Sequence, residues 1–192
     1  MTDKYVFGYG SLVNGQTHDY TGLTIASLPG WRRIWRHVEG RRVAFLTIQP
    51  DDKTTIDGLI AKVPNQDWDA LDYRERSYIR EPVQTVDHAL PEPLDIAVYH
   101  APADLHQPHS SQHPILLSYL DVVVQGFHQH FGEEGVVRFF ETTDGWDAPI
   151  LDDRHKPIYP RHQKLNQRET GLTDSALVTV GANIFRDDTY LR

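Results

Sequence analysis

The chain has 192 residues, 39% of them apolar and 24% charged, which is typical of a globular protein that forms one domain over residues 1–192. Its 27 acidic residues outnumber its 19 lysines and arginines, and the net charge of −8 excludes a general affinity for nucleic acid. The absence of cysteine excludes disulfides, thiolate metal sites and a cysteine nucleophile. The sequence shows neither a signal peptide nor a long apolar run, so we expect a cytoplasmic protein with no membrane partner.

The predicted strands lie in the first hundred residues. Residues 5–7 form a short apolar run that predicts a buried strand, which ends in a tight turn at the glycines that follow. Branched and aromatic residues predict three further strands, separated by Gly40 and by residues 50–52, at residues 34–38, 43–48 and 56–63. Two more are predicted at residues 79–86 and 94–100, and Pro82 places the first of them at a sheet edge or a bulge.

Helical patterns begin after these first strands. Asn65 is a suitable N-cap for a helix whose inward stripe contains Trp68, Leu71, Glu75 and Tyr78. Residues 115–131 are apolar on most sides and predict a largely buried central helix, which a shorter helical segment follows at residues 136–140. Residues 101–114 predict a loop, and residues 146–161, with three prolines, predict an ordered but irregular stretch. Residues 142–161 are rich in Trp, Asp, Arg and Tyr, and for them a structural cover is favoured over a recognition element, which is the alternative.

The first candidate for chemistry is the glycine turn at residues 8–12, whose sequence is Gly8-Tyr9-Gly10-Ser11-Leu12. Glycines allow a tight turn in which successive backbone N–H groups point at one anion, either a carboxylate or a developing oxyanion. The pattern equally suits a plain turn at the end of a strand. It lacks the Gly-Lys-Ser/Thr of a phosphate-binding loop and the longer glycine pattern of a dinucleotide site.

The second candidate is Glu75, which shares the predicted inward helix face with Trp68 and Leu71. Loss of solvent on that face raises the pKa of a carboxyl group toward the range in which it exchanges protons near neutrality. The alternative is a structural glutamate neutralised by a neighbouring arginine, for which Arg74, Arg76 and Arg80 are the candidates. Periodicity alone favours the structural alternative slightly.

The sequence also contains candidates for a metal site and for a nucleophile. His106, His109 and His113 have ligand-like spacing, but Pro108 interrupts them and no glutamate completes a zinc-binding pattern, so we expect neither a metal nor a cofactor. His128 and His130 are two residues apart and face different sides of a helix. Ser11 could be the nucleophile of a serine hydrolase, although its surroundings differ from the Gly-x-Ser-x-Gly nucleophile elbow.

Together the two candidates resemble the gamma-glutamyl cyclotransferase superfamily, and within it the ChaC-type and AIG2-like bacterial branch. The resemblance covers roughly residues 5–130 and is carried by the glycine turn, by Leu71-Asp72-Tyr73-Arg74-Glu75-Arg76 with Tyr78, and by Pro114-Ile115-Leu116-Leu117-Ser118-Tyr119-Leu120-Asp121. It implies an α+β fold, a compact mixed β-barrel with flanking helices. The chain departs from the ChaC-type pattern at Arg76-Ser77 and at Val13-Asn14, so the resemblance does not imply glutathione as the substrate.

The resemblance also implies a reaction. A small-molecule gamma-glutamyl substrate cyclises to 5-oxoproline and releases its amine, without a cofactor. On this sequence the backbone of Tyr9, Gly10, Ser11 and Leu12 would hold the glutamyl group, Glu75 would be the acid/base residue and Tyr78 a neighbouring contact. A protein that binds a small carboxylate in the same cavity without turnover is the main alternative, and the serine hydrolase is a weaker one.

Overall fold

The computed structural model of the chain describes residues 2–38, 42–76, 78–91, 93–102, 106–107, 113–187 and 189–190. The eight strands of its main sheet are β1 (Asp3–Gly8), β2 (Thr24–Val38), β3 (Phe45–Lys62), β4 (Ile79–Pro82), β5 (Asp87–His88), β6 (Leu94–His100), β7 (His106–Gln107) and β9 (Thr143–Asp144). Their order is β4-β6-β1-β3-β2-β5, and β7 and β9 also pair with β2. β1 is antiparallel to β3 and parallel to β6, so the sheet is mixed.

The predicted α+β fold with a mixed sheet is confirmed, but the word barrel describes it loosely. Pairing among the described strands ends at β4 on one side and at β5 on the other, so the sheet stays open. The edge position of β4 agrees with the prediction from Pro82. A second sheet has the order β11-β10-β8 and consists of β8 (Ile115–Leu116), β10 (Ile150–Leu151) and β11 (Ile184–Phe185).

The predicted break at residues 50–52 is wrong, because β3 runs through it without interruption. Its partner β2 begins at Thr24, ahead of the predicted start at residue 34. The register between the two strands shifts between Pro29 and Trp31, and Trp31 lies opposite Pro50. A proline is tolerated there because a β-bulge already interrupts the regular ladder of hydrogen bonds. Gly40, the other predicted separator, lies outside the described residues.

The helix that precedes Glu75 is shorter than predicted. α1 spans Trp68–Arg74, and its N-cap is Asp67, whose carboxylate accepts from the N–H groups of Asp69 and Ala70 at 3.0 and 3.2 Å. The predicted cap, Asn65, instead adopts a left-handed conformation (φ 55°) inside a preceding 3-10 turn. Both residue types can cap a helix. Because Asn65 lies within the 3-10 turn, the aspartate that follows this turn is the residue that caps α1. Tyr78 therefore lies beyond the helix.

The central helix is the longest element and is buried as predicted. α2 spans Leu117–Glu141 and joins the two predicted helical segments across a kink at Gly132, where φ is 68°. Its apolar side chains, such as Val123 and Phe127, pack with Phe7 and Trp35 of the sheet to form the main core. α3 (Gln167–Thr179) lies beyond the predicted elements and begins with a capping box made by Asn166 and Glu169.

Most of the predicted loop at residues 101–114 lies outside the described residues. None of the helices in the described ranges is both long enough and apolar enough to cross a membrane.

Candidate functional site

The glycine turn leaves the end of β1 and is fixed by short hydrogen bonds. Residues 11–13 form a 3-10 turn in which the Val13 N–H donates to the Gly10 carbonyl at 3.0 Å. The Thr17 hydroxyl lies 2.9 Å from the carbonyl oxygens of both Ser11 and Asn14. The turn therefore has one defined backbone conformation, as a preorganised binding loop needs.

Asn14 ties this turn to the central helix. Its side chain is fully buried, and its amide donates to the Val122 carbonyl at 3.0 Å and to the Gln125 side chain at 2.9 Å. Buried amides of this kind strongly prefer to be hydrogen-bonded, so the turn and α2 are held in one arrangement. Asn14 is one of the residues at which the chain departs from the ChaC-type pattern, and in this protein its side chain makes a structural contact with α2.

Arg33 stabilises the glycine turn through a buried side chain, and the sequence analysis did not identify this residue as part of the site. Its Nε donates to the Tyr9 carbonyl at 2.9 Å, one terminal nitrogen to the Thr142 hydroxyl at 2.9 Å and the other to the Asp57 carbonyl. Complete burial lowers the pKa of Arg33 to about 9. The sequence does contain a signal for the burial of Arg33. Arg33 lies two residues from Trp31 and two from Trp35, and because side chains alternate along a strand, it points to the same buried face as both tryptophans.

A cavity of about 320 Å³ opens beside the turn. All the residues that the sequence proposed for the site line it, namely Tyr9, Gly10, Ser11, Leu12, Glu75 and Tyr78. We call residues 8–12 together with Glu75 and Tyr78 the loop wall. Sequence reasoning did not identify Tyr119, Tyr159 and Arg161, which also line the cavity and which we call the cover wall.

Glu75 reaches the cavity from the end of α1. It is the C-cap residue, its N–H donates to the Leu71 carbonyl at 2.9 Å, and its carbonyl accepts from the Tyr78 N–H at 2.8 Å. This turn brings the side chains of Glu75 and Tyr78 to the same cavity. The Glu75 residue is half-buried rather than enclosed in the core.

Two of the arginines proposed to neutralise Glu75 have other contacts. Arg80 makes two hydrogen bonds to the Asp72 carboxylate, at 2.8 and 3.1 Å, and lies over the Trp68 ring. Arg76 lies over the Tyr73 ring at 5.6 Å. The side chain of the third, Arg74, lies outside the described residues.

Tyrosine hydroxyl groups supply much of the polar lining. The Tyr9 hydroxyl donates to the Tyr99 carbonyl at 2.8 Å, and the Tyr99 hydroxyl donates to the Asp72 carboxylate at 2.6 Å. The Tyr119 hydroxyl contacts Ser11, and a Cβ added to Gly10 would lie 2.8 Å from it, which explains the glycine there. Burial is the main cause that raises the pKa of Tyr9, Tyr99 and Tyr119, so these phenols stay protonated at neutral pH.

The geometry around Ser11 does not favour the serine hydrolase. His18 lines the cavity, but its Nδ1 accepts from the Tyr20 N–H at 3.1 Å, so its Nε2 carries the proton and donates to the Leu12 carbonyl at 2.9 Å. Both ring nitrogens are therefore engaged in structural contacts. His18 is not placed to accept a proton from a nucleophilic hydroxyl, which a serine hydrolase requires.

Within the described ranges, no three histidine, aspartate or glutamate side chains are arranged to hold a metal ion. The side chains of His106 and His109 lie outside those ranges. His113 is described and stacks on His37, with the ring centroids 3.4 Å apart.

The model of one protein family, described as gamma-glutamyl cyclotransferase, AIG2-like, matches residues 6–118. The chain belongs to this family. The match includes the whole loop wall and ends just as α2 begins, so the cover wall lies outside it. The AIG2-like assignment from sequence is confirmed, whereas the ChaC-type likeness stays a prediction. Comparison with curated proteins finds no significant sequence match.

Solved structures share the fold of the AIG2-like family. One described as a gamma-glutamyl cyclotransferase has a TM-score of 0.58 at 12% identity and covers 90% of this chain and 99% of its own. The protein loc79017 from Homo sapiens has a TM-score of 0.57 at 14% identity, with coverages of 88% and 97%. YkqA from Bacillus subtilis has a TM-score of 0.53 at 16% identity, with coverages of 76% and 57%. At these identities the likeness concerns the fold alone.

Proposed function

We propose that the protein is a gamma-glutamyl cyclotransferase in which Glu75 is the general acid/base and the backbone of residues 9–12 binds the glutamyl group. One observation carries the proposal: Glu75 and the glycine turn, 63 to 67 residues apart in sequence, line the same cavity. Membership of the AIG2-like family supports the same reaction. A chain without cysteine suits the reducing cytoplasm, where we propose that it acts.

The proposed reaction exchanges one amide for another within the substrate. Glu75 accepts a proton from the substrate's α-ammonium group, and the free amine attacks the γ-carbonyl carbon. A new C–N bond closes the five-membered ring, and the original amide C–N bond breaks as Glu75 returns the proton to the departing nitrogen. The ring nitrogen still carries one proton more than an amide, and this second proton passes through Glu75 to the released amine, which leaves as an ammonium ion. The products are 5-oxoproline and an amine. The backbone of residues 9–12 stabilises the negative charge that develops on the γ-carbonyl oxygen.

The protonated phenols of the lining suit this chemistry. Tyr9, Tyr99 and Tyr119 are neutral at pH 7, so they add no negative charge beside the developing oxyanion. The fixed turn holds the substrate folded back on itself, and such orientation contributes to the rate together with proton transfer. General acid–base catalysis alone raises a reaction rate by roughly 10²- to 10⁴-fold.

The test is incubation of the purified protein with a panel of gamma-glutamyl compounds, glutathione included, and detection of 5-oxoproline by mass spectrometry. We expect product from the wild type and a loss of roughly 10²- to 10⁴-fold in kcat for Glu75→Gln. Glu134→Gln makes the same change at an exposed position of α2 outside the cavity and should retain full activity. Circular dichroism and a thermal melt check that both variants fold.

Three outcomes would contradict the proposal. Full turnover by Glu75→Gln would remove Glu75 from the mechanism. Saturable binding of gamma-glutamyl compounds without product at any pH would favour the binding protein. A covalent fluorophosphonate adduct at Ser11 would favour the serine hydrolase.

A further inference from the structure

The irregular stretch at residues 146–161, which we call the cover segment, is tightly anchored to the central helix. Asp153 is buried, and one carboxylate oxygen accepts from the Ser118 N–H at 2.8 Å while the other accepts from the Ser118 hydroxyl at 2.6 Å. The second oxygen also accepts from the Ile158 N–H at 2.8 Å. A single buried carboxylate thus fixes both the start of α2 and the turn that leads to residue 159.

A second contact anchors the next residue. Arg154 donates to both carboxylate oxygens of Asp121 on α2, each at 2.7 Å, and to Asp174 on α3 at 2.7 Å. Bidentate arginine–carboxylate pairs have strict geometry, so they fix orientation as well as distance. The cover segment is therefore a rigid part of the cavity lining.

This rigid segment places Tyr159 and Arg161 beside the glycine turn. The Tyr159 ring meets the Tyr119 ring edge-on at 5.0 Å, and Tyr119 contacts Ser11. One terminal nitrogen of Arg161 donates to the Thr17 carbonyl at 3.4 Å, and the Thr17 hydroxyl is bonded to the turn. Arg161 is exposed although it lines the cavity, so it lies at the mouth.

The charge of Arg161 has no carboxylate partner among the residues that the structure describes. Among the residues that the structure describes, six other arginines form ion pairs with aspartate or glutamate, namely Arg32, Arg80, Arg138, Arg154, Arg168 and Arg186. Among the described lining residues, Glu75 is the one carboxylate and Arg161 the one lysine or arginine. In a chain of net charge −8, an arginine held at a cavity mouth without an acidic partner suits an anionic ligand.

We propose that Arg161 binds a carboxylate on the amine half of the substrate, so that the preferred substrates are gamma-glutamyl derivatives of amino acids or peptides rather than of simple amines. This inference rests on the proposed function, which places the glutamyl half against residues 9–12 and Glu75. The half that is released must then extend toward the mouth, where the guanidinium lies. A guanidinium matches a carboxylate in geometry and charge.

The experiment compares two substrates that differ by one carboxylate, gamma-glutamyl-alanine and gamma-glutamyl-ethylamide. We expect the wild type to prefer the alanine compound, and we expect Arg161→Gln to lower the ratio of the two kcat/KM values by roughly 10- to 100-fold. Arg168→Gln removes the same charge from the outer surface of α3, where it pairs with Glu133, and should leave the ratio unchanged.

Binding is measured in parallel so that a failure of the proposed function can be told from a failure of this inference. In the Glu75→Gln background, calorimetry should show that Arg161→Gln weakens binding of gamma-glutamyl-alanine selectively, even if the wild type yields no 5-oxoproline. If Arg161→Gln weakens the binding of both compounds equally, Arg161 holds the glutamyl α-carboxylate that they share, and the proposal is overturned. An unchanged ratio in both turnover and binding would overturn it as well.

Discussion

The loop wall and the cover wall line one cavity but are built in different ways. The loop wall presents backbone groups of residues 8–12 and one carboxylate, Glu75, and lies wholly within the part of the chain that matches the AIG2-like family. The cover wall presents two tyrosines and an arginine, and its residues follow the end of that match at residue 118.

This difference suggests that reaction and selection are separate in the sequence. The groups proposed for bond making and breaking lie in the family-matched part, where a fixed turn and one proton carrier are enough. The side chains that can distinguish one leaving amine from another lie on the cover wall, which depends on long-range anchors. Changes to the anchors of each wall should therefore have different consequences.

The largest loss of stability is expected from Asp153→Ala, which removes the carboxylate that anchors the cover wall. The change leaves the N–H groups of Ser118 and Ile158 and the Ser118 hydroxyl without their charged acceptor, at a cost of about 3 kcal/mol in the free energy of unfolding. Denaturant unfolding measures it. The surviving protein should also lose the preference for gamma-glutamyl-alanine, because Arg161 is no longer held at the mouth.

Glu133→Gln is the surface control. Glu133 pairs with Arg168, and both side chains are more than half exposed, so solvent screens this pair and it contributes little to stability. A loss at Glu133 as large as that at Asp153 would show that the buried anchor has no special importance.

Gly58→Ala should disturb the loop wall. An added Cβ would lie 2.6 Å from Cζ of Phe7 and closer still to the Gly8 carbonyl oxygen, at the point where β3 passes the end of β1. Such overpacking costs about 1 to 3 kcal/mol, and here it also moves the start of the glycine turn. We expect lower stability together with a fall in kcat for all gamma-glutamyl substrates.

Gly171→Ala is a matched control with the opposite expected sign. Gly171 is exposed in α3, and an added Cβ would meet no atom within 4 Å. Alanine is favoured over glycine in a helix by about 1 kcal/mol, so this variant should melt at a higher temperature with unchanged activity. Equal effects of the two substitutions would rule out a specific contact at Gly58.

The sequence predicted the loop wall well because its signals are local. The local signals picked out residues 9–12 and Glu75 but left structural explanations open for both, and the family resemblance carried by the two motifs assigned them to one site. All of these residues line the cavity. The choice of Asp67 over Asn65 as the helix cap was not predictable in this way, since both residue types cap helices and the preceding turn decides between them.

The cover wall was not predictable from local pattern. Tyr159 and Arg161 reach the cavity because Asp153 binds Ser118, which is 35 residues earlier in the chain. No periodicity encodes that contact, and the three prolines of the segment indicate only that it is irregular. The sequence predicted a structural cover, and the structure shows that this cover also contributes side chains to the cavity.

The smallest effect is expected at Asp72, an outer support of the loop wall. Hydrogen bonds from Arg80, and then from Tyr99, lower the pKa of the Asp72 carboxyl group, and the Tyr99 carbonyl in turn accepts from the Tyr9 hydroxyl. The Asp72 side chain is 38% exposed, so solvent screens the pair, and Asp72→Asn should cost only about 0.5 to 1 kcal/mol at neutral pH.

The pH dependence of that cost distinguishes an ionic contact from a packing effect. Because the pKa of Asp72 is lower in the folded than in the unfolded state, its contribution is fully present above the unfolded value of about 3.9 and is lost as the pH falls through the folded value. Unfolding curves of the wild type and Asp72→Asn should therefore differ at pH 7 and converge at strongly acidic pH. A difference that persists there would mean that Asp72 supports Tyr99 through shape and not through its charge.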